Sequence, residues 1–189
     1  MILVVLGTQD KDFSRLLKAV EKEIKSGVIT DKVVVQAGQT RFQSDLMEIF
    51  DLIPEPDFYA LMDEADLIIT HGGAGTILNA IKRGKKVIAA ARSEKYGEHH
   101  NDHQEQIVGE FSKKGYILEL KDFNKLGSLI EKSKKFHPKE FVSNTDNVIK
   151  LIENYIDDSK HQSWFNRYYY YFLFIIFILI VVLIISFLN

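Results

Sequence analysis

Cysteine is missing from all 189 residues, so neither a disulfide framework nor a thiolate metal site is available, and a reducing compartment is permitted. An excess of basic charge is missing too: 24 Lys and Arg stand against 26 Asp and Glu, a formal net charge of −2. That leaves no broad cationic footprint and excludes nucleic acid as a partner. No internal repeat or low-complexity tract occurs. A secretory leader is not expected, because Ile2-Leu3-Val4-Val5-Leu6 carries no basic flank and runs straight into Gly7-Thr8. The glycine-rich turn lacks both the Gly-x-Gly-x-x-Gly spacing and a following Gly-Lys-Ser/Thr, which disfavours an NAD-dependent oxidoreductase and an ATP-binding P-loop.

What is present is 46% hydrophobic residues, enough for one good core and a tail. Short apolar runs at Ile2–Leu6, Lys32–Gln36, Asp66–Thr70, Lys86–Ala90 and Tyr116–Leu120, with a weaker one at Glu48–Ile53, read as strands. Helical spacing separates them: Phe13, Leu16, Leu17, Val20 and Ile24 share one face, as do Phe58, Leu61, Met62 and Ala65. A helix also follows the glycines over Ile77–Gly84, and later helices are expected at Asp102–Lys114, Phe123–Lys135 and Asn144–Ile156. Strands alternating with helices predict an α/β fold, a Rossmann-like parallel sheet with helices on both faces and ligands at the carboxyl ends of the strands. The expected organisation is a domain over 1–157, a polar linker over 158–167 and a transmembrane helix over 168–188.

The tail carries that last expectation. Phe172 to Leu188 holds no charge, and with Tyr168–Tyr171 it spans about 31 Å as a helix, against a hydrocarbon core of about 30 Å. Trp164 and the four tyrosines suit an aromatic belt. Lys160 and Arg167 precede the span and only Asn189 follows it, which places the N-terminal domain on the cytoplasmic face of a single-pass membrane protein.

The segment Thr70-His71-Gly72-Gly73-Ala74-Gly75-Thr76 follows an apolar strand and opens a helix. Free N–H groups of a first helical turn, with the helix dipole behind them, form an anion site that needs no lysine. A β-branched residue at Gly73 or Gly75 is expected to block a ligand there and leave the fold intact. A tight turn without a ligand is the plainer alternative.

A second cluster, Arg92-Ser93-Glu94-Lys95-Tyr96-Gly97-Glu98-His99-His100-Asn101-Asp102-His103-Gln104, sits at another strand end. Its many donors and acceptors suit a polyhydroxylated ligand. Three histidines within five residues raise the question of a metal, which the lack of a second ligand cluster disfavours. Asp102 and Glu105 have the spacing of a capping box. A third cluster joins Gly7-Thr8-Gln9 to Gln36-Ala37-Gly38-Gln39-Thr40; both pieces either line one cleft or are ordinary turn chemistry.

In order, Leu6-Gly7-Thr8, Ala65 to Thr76, Gly84-Lys85-Lys86-Val87-Ile88 and Tyr96 to Gln104 resemble the PssE family of exopolysaccharide and capsule glycosyltransferases. That family is related to the soluble subunit of the two-part N-acetylglucosaminyltransferase of the dolichol pathway. It is also similar to the C-terminal half of glycosyltransferase family 28 enzymes. The resemblance covers Met1 to Ile156. It implies the donor half of a GT-B enzyme that takes a UDP-sugar and uses no cofactor and no essential metal. Gly72, Gly73, Ala74, Gly75 and Thr76 would hold the diphosphate, with Gly7, Thr8 and His71 alongside, and His103 and Gln104 would lie near the donor sugar. Asn79 stands where relatives often carry the glutamate that binds ribose, so that contact loses its charge assistance.

A GT-B transferase needs two such halves, so the acceptor half is expected on another polypeptide, a PssD-like membrane subunit. The expected activity is inverting transfer from a UDP-sugar to a polyprenyl-diphosphate-linked glycan, silent until the partner is added. His99 and His100 are this chain's candidates for the base, His71 being too close to the phosphate loop, though the partner is the expected source. The alternative is a non-catalytic nucleotide- or partner-binding subunit that activates another membrane glycosyltransferase.

Overall fold

The computed structural model describes residues 1–188, the side chains of 160–167, 182 and 185–188 excepted. Met1–Phe141 form one compact unit, and the residues from Val142 onward a second.

The first unit is built on six strands, β1 (Ile2–Val5), β2 (Val33–Gln36), β3 (Glu48–Phe50), β4 (Leu67–His71), β5 (Lys86–Ala90) and β6 (Leu118–Glu119). They lie in the order β3-β2-β1-β4-β5-β6, every pair parallel. A parallel sheet covered on both faces wants apolar residues at every position, which is why the central strands are unbroken hydrophobic runs. Ile2, Val4, Val33, Val35, Ile69 and Ile88 enter one core, with Leu16, Leu17 and Val20 of helix α1 (Ser14–Lys25) and Ile130 of α5 (Leu126–Lys135). Leu3, Val5, Val34, Ile68 and Val87 enter the other. There they meet Met62 of α2 (Glu55–Glu64), Ile77 and Ile81 of α3 (Ala74–Lys82) and Val108 of α4 (His103–Lys113).

The edge strands are shorter than their apolar runs. β6 pairs only with β5, and only through Leu118 and Glu119, while Tyr116 turns instead to Phe111 and Phe141. β3 stops at Phe50 because the Ile53 N–H is taken by the Gln36 side chain and Pro54 follows, without an N–H to give. The expected helix over Phe123–Lys135 begins as a 3₁₀ turn at Phe123–Lys125, in which Asp122 accepts from the Asn124 N–H.

The second unit carries α6, helical over Thr145–Leu188 and therefore through 158–167, where a linker is expected. Its apolar side chains from Phe172 to Val181 are all exposed. Among the described residues no helix is long and apolar enough to cross a membrane. The expected span over 168–188 falls partly outside the described side chains, as do the calls on Lys160, Trp164 and Arg167; Asn189 is not described at all.

Candidate functional site

The strand order reverses between β1 and β4. These strands are hydrogen-bonded neighbours, Val5 opposite Thr70, yet α1 packs on one face of the sheet and α3 on the other. The chain therefore leaves the two strands in opposite directions and opens a crevice at their carboxyl ends, the usual ligand position of a doubly wound sheet. Gly7 borders the crevice from β1, and His71-Gly72-Gly73 from β4.

Gly73 is the N-cap of α3 in an extended conformation, and no side chain caps that helix end. The first-turn amides of Ala74, Gly75 and Thr76 have no intrahelical acceptor by construction. Gly75 is exposed, and a Cβ added there meets nothing within 4 Å, so the surface of this first turn is open at Gly75. Asn79 is half-buried one turn further along the same helix face.

The other glycines are small for a different reason. A Cβ on Gly73 would lie 2.2 Å from His71 Nε2, and one on Gly7 2.7 Å from the same ring. The imidazole is held between the two glycines. This corrects the expectation for Gly73: a valine there strikes His71 and disturbs the loop itself, whereas at Gly75 it enters only the open space. Gly7 and Gly38 both have positive φ, and a Cβ on Gly38 would meet the Gly7 carbonyl oxygen at 2.1 Å, so the β1 and β2 turns touch through their backbones.

His71 Nδ1 lies 3.3 Å from the Val5 carbonyl oxygen and 3.3 Å from Thr70 Oγ1, whose hydroxyl donates to the same carbonyl at 3.0 Å. Val5 can only accept, so Nδ1 carries the proton and Nε2 keeps its lone pair. Burial pushes the imidazole down to about 4; the Val5 hydrogen bond opposes this, while Arg92 and His99 add to it. The ring is neutral at physiological pH, with Nε2 directed toward Gly73 of the glycine loop.

The histidine loop is brought to the same end of the sheet. Gln104 is buried against Gly72, where a Cβ would lie 2.8 Å from its own, and its Oε1 accepts from the Arg92 N–H at 3.1 Å. His103 is exposed at the first residue of α4, with Nδ1 3.2 Å from Gln106 Oε1. His99 Nδ1 accepts from the Asn101 N–H at 3.2 Å, and His100 is exposed next to it, ring centroids 6.3 Å apart. The capping box does not form. Asp102 gives its Oδ1 to Glu94 N–H at 2.9 Å and to Ser93 Oγ at 3.3 Å, and offers no side-chain cap to α4.

The third cluster is divided. Gly7 and Gly38 abut, but Thr8 and Gln39 are exposed. Gln36 Oε1 accepts from Ile53 N–H at 3.1 Å, and buried Thr40 accepts from Phe13 N–H at the start of α1.

Two charged residues were hidden in the sequence. Arg92 is fully buried, and Glu98 is 4% exposed. Arg92 Nη2 donates to the Leu6 carbonyl at 2.8 Å and Nη1 to the Lys11 carbonyl at 2.7 Å, with Phe13 under the guanidinium at 4.9 Å. Burial lowers its pKa and the nearby Glu98 and Asp12 raise it again, so it remains a cation. Only its position directly behind a buried strand hinted at this.

Two clefts flank the crevice loops. One, about 550 Å³, lies beyond the ends of β5 and β6 and is lined by Arg15, Ser93, Tyr96, Gln106, Lys121 and Phe123. The other, about 380 Å³, lies beyond β3 and is lined by Phe50, Leu52, Ile53, Pro54 and Leu61 among others.

Residues 1–157 match the glycosyltransferase family 28 C-terminal domain. The chain belongs to that family. A curated relative is the UDP-N-acetylglucosamine transferase subunit ALG13 of Debaryomyces hansenii, 26% identical over 107 residues, covering 57% of this chain and 46% of the relative. The match thus spans less than half the length of that protein. Among solved structures, the NMR solution structure of ALG13 has a TM-score of 0.50 at 19% identity, covering 79% of this chain and 93% of that one. The glycotransferase of kitacinnamycin has a TM-score of 0.51 at 17% identity, over 70% of this chain and 34% of the other. At these identities the structures establish the fold, a GT-B half, and the family match makes it a glycosyltransferase domain.

Proposed function

We propose that this chain is the donor-binding, catalytic subunit of a two-component inverting glycosyltransferase that uses a UDP-sugar. The observation that carries the reading is the uncapped amino end of α3, open at Gly75, at the β1/β4 switch point of a family 28 domain. The amides of Ala74, Gly75 and Thr76 take the diphosphate, which needs no metal there because the helix end itself is positive. Gly7 and Thr8 form the opposite lip, Asn79 offers an amide to the ribose, and His103 and Gln104 face the sugar. Gln104 keeps its NH₂ for a hydroxyl while its oxygen holds Arg92.

In the reaction the acceptor hydroxyl oxygen bonds to the anomeric carbon as the bond to the β-phosphate oxygen breaks. UDP leaves with the electron pair, and a base takes the hydroxyl proton. Leaving-group charge grows at the α3 amides, where fixed dipoles stabilise it best. His99 and His100 are the candidate bases in this chain, but His99 Nδ1 is engaged by Asn101, which places the proton of the neutral ring on Nε2. The base is assigned to the acceptor subunit, a PssD-like membrane protein; the relative's own designation as a transferase subunit supports a divided enzyme.

The acceptor is read as a polyprenyl-diphosphate-linked glycan in exopolysaccharide or capsule synthesis. The organisation is read as a domain over 1–157, a connector over 158–167 and a membrane helix over 168–188, with the domain on the cytoplasmic face. The exposed apolar surface of α6 from Phe172 to Val181 and the charge-free sequence to Leu188 support the anchor. The test is co-expression with the neighbouring-gene subunit, followed by a screen of UDP-sugars on a lipid-linked acceptor. Transfer should require both polypeptides. Transfer by this chain alone, or UDP binding by this chain with turnover insensitive to His103 and Gln104 substitution, contradicts the assignment.

A further inference from the structure

We propose that Glu98 is a positioning residue that holds the histidine loop in place by gathering two arginines from separate parts of the fold. Its carboxylate takes a bidentate pair from Arg15 at the start of α1, Nε to Oε1 at 2.8 Å and Nη2 to Oε2 at 2.7 Å. Oε2 also accepts from the Ser93 N–H at 3.1 Å, and the Glu98 carbonyl accepts from Arg92 Nη1 at 3.3 Å. Arg15 is fixed in turn between two rings, with its guanidinium carbon 4.2 Å from the Tyr96 centroid and 3.9 Å from that of Phe123.

Residue 98 therefore sits where α1, the turn after β1, the end of β5 and the turn before α5 converge. It is followed directly by His99 and His100. Among the described residues, the hydrogen bonds of His99 and His103 are local, to Asn101 and Gln106, and the His100 ring lies against that of His99. The polar side chains of the loop are exposed or half-exposed while its anchor is buried, the arrangement expected when a reactive loop is held by its supporting contacts. Charge makes the anchor specific. A bidentate carboxylate matches the guanidinium fork, and its loss leaves the Arg15 guanidinium without its carboxylate partner and Arg92 with one fewer neighbouring negative charge.

What the loop faces rests on the UDP-sugar reading; that Glu98 orders the loop does not. The test compares the full chain in detergent with its Glu98→Gln variant, which keeps the side-chain shape and removes the charge. Amide hydrogen exchange over 93–104, the imidazole carbon–proton NMR signals and calorimetric titration with UDP are read on both. Exchange over 98–104 should rise about tenfold or more while the amides of β1 and β4 stay protected. The His99 and His103 signals should collapse toward unstructured positions, and UDP affinity should stay within about threefold because the amides of Ala74, Gly75 and Thr76 belong to α3 and not to the histidine loop. Arg15→Met should reproduce the loop signature and serve if Glu98→Gln fails to fold, and the double variant should add little to either. Unchanged loop exchange, or exchange rising equally through the sheet, overturns the proposal. Loosening of the loop in a protein whose wild type binds no UDP would sustain the positioning role and remove the nucleotide reading.

Discussion

Arg92 Nη2 donates to the carbonyl oxygen of Leu6 at 2.8 Å, joining the residue that ends the β1 run to the first polar residue beyond β5. The contact spans β4 and so stitches together both sides of the crevice, with the glycine loop between them. A buried guanidinium is tolerated where other acceptors replace water, and Arg92 donates to the backbone carbonyls of Leu6, Lys11 and Glu98.

Arg92→Met should therefore destabilise the first unit by about 3 kcal/mol, because at least two carbonyls lose their donor and Glu98 loses a neighbouring positive charge. Arg92→Lys should recover little, since one ammonium cannot reach acceptors spread across the guanidinium fork. Denaturant midpoints of the three proteins check this; a lysine variant as stable as wild type contradicts the clamp.

The two conspicuous glycines should separate in their effects. Gly75→Val should leave the thermal midpoint close to wild type and weaken UDP binding about tenfold or more, because its side chain occupies the open surface of that first turn. Gly73→Val should lower stability as well, since its Cβ falls on His71. Thermal melts beside calorimetric titration decide between them, and equal behaviour of the two variants contradicts the geometry.

His71 should titrate near 4 and hold its proton on Nδ1. In the unfolded chain the same ring protonates near about 6.5. The unfolded state thus binds more protons between those values, and the His71 contribution to stability, complete above about 6.5, is lost as pH falls toward 4. Nitrogen-detected NMR of the imidazole follows both points. An imidazole that charges near pH 6.5 in the folded protein contradicts the burial argument.

Much of this was legible in the residues. Unbroken apolar runs marked the four central strands because a parallel sheet buries both faces, and β5 occupies the expected Lys86–Ala90. Edge strands were overestimated because an apolar residue such as Tyr116 or Ile53 is satisfied equally well by packing or by a side-chain acceptor. The glycine loop stood out, yet its glycines answer to different neighbours: Gly73 yields to His71, Gly72 to Gln104, and Gly75 to nothing within 4 Å among the described residues. Asp102 and Glu105 had capping-box spacing, but Ser93 and Glu94 compete for Asp102 from the other side of the loop. Arg92, Arg15 and Glu98 look like surface residues because their partners lie up to 86 positions away. No local pattern carries that information.

The division of the chain gives a further prediction. Residues 1–141 should fold without α6, as every strand and both cores lie within them. A dispersed amide NMR spectrum from that fragment checks it, whereas a collapsed spectrum would make the tail part of the fold. In flotation with lipid vesicles, the full chain should rise with the membrane and residues 1–157 should not; co-flotation of the shorter chain contradicts the anchor.

The central claim is that the amino end of α3 binds the diphosphate of a uridine nucleotide. Its most direct measurement is a titration of the isotope-labelled chain with UDP, following backbone amides. The account predicts saturable binding with a dissociation constant below about 1 mM, with the largest shifts at Gly73, Ala74, Gly75 and Thr76, and binding weakened about tenfold or more in Gly75→Val. Saturable binding that leaves those four amides unmoved, or no binding at all, would contradict it.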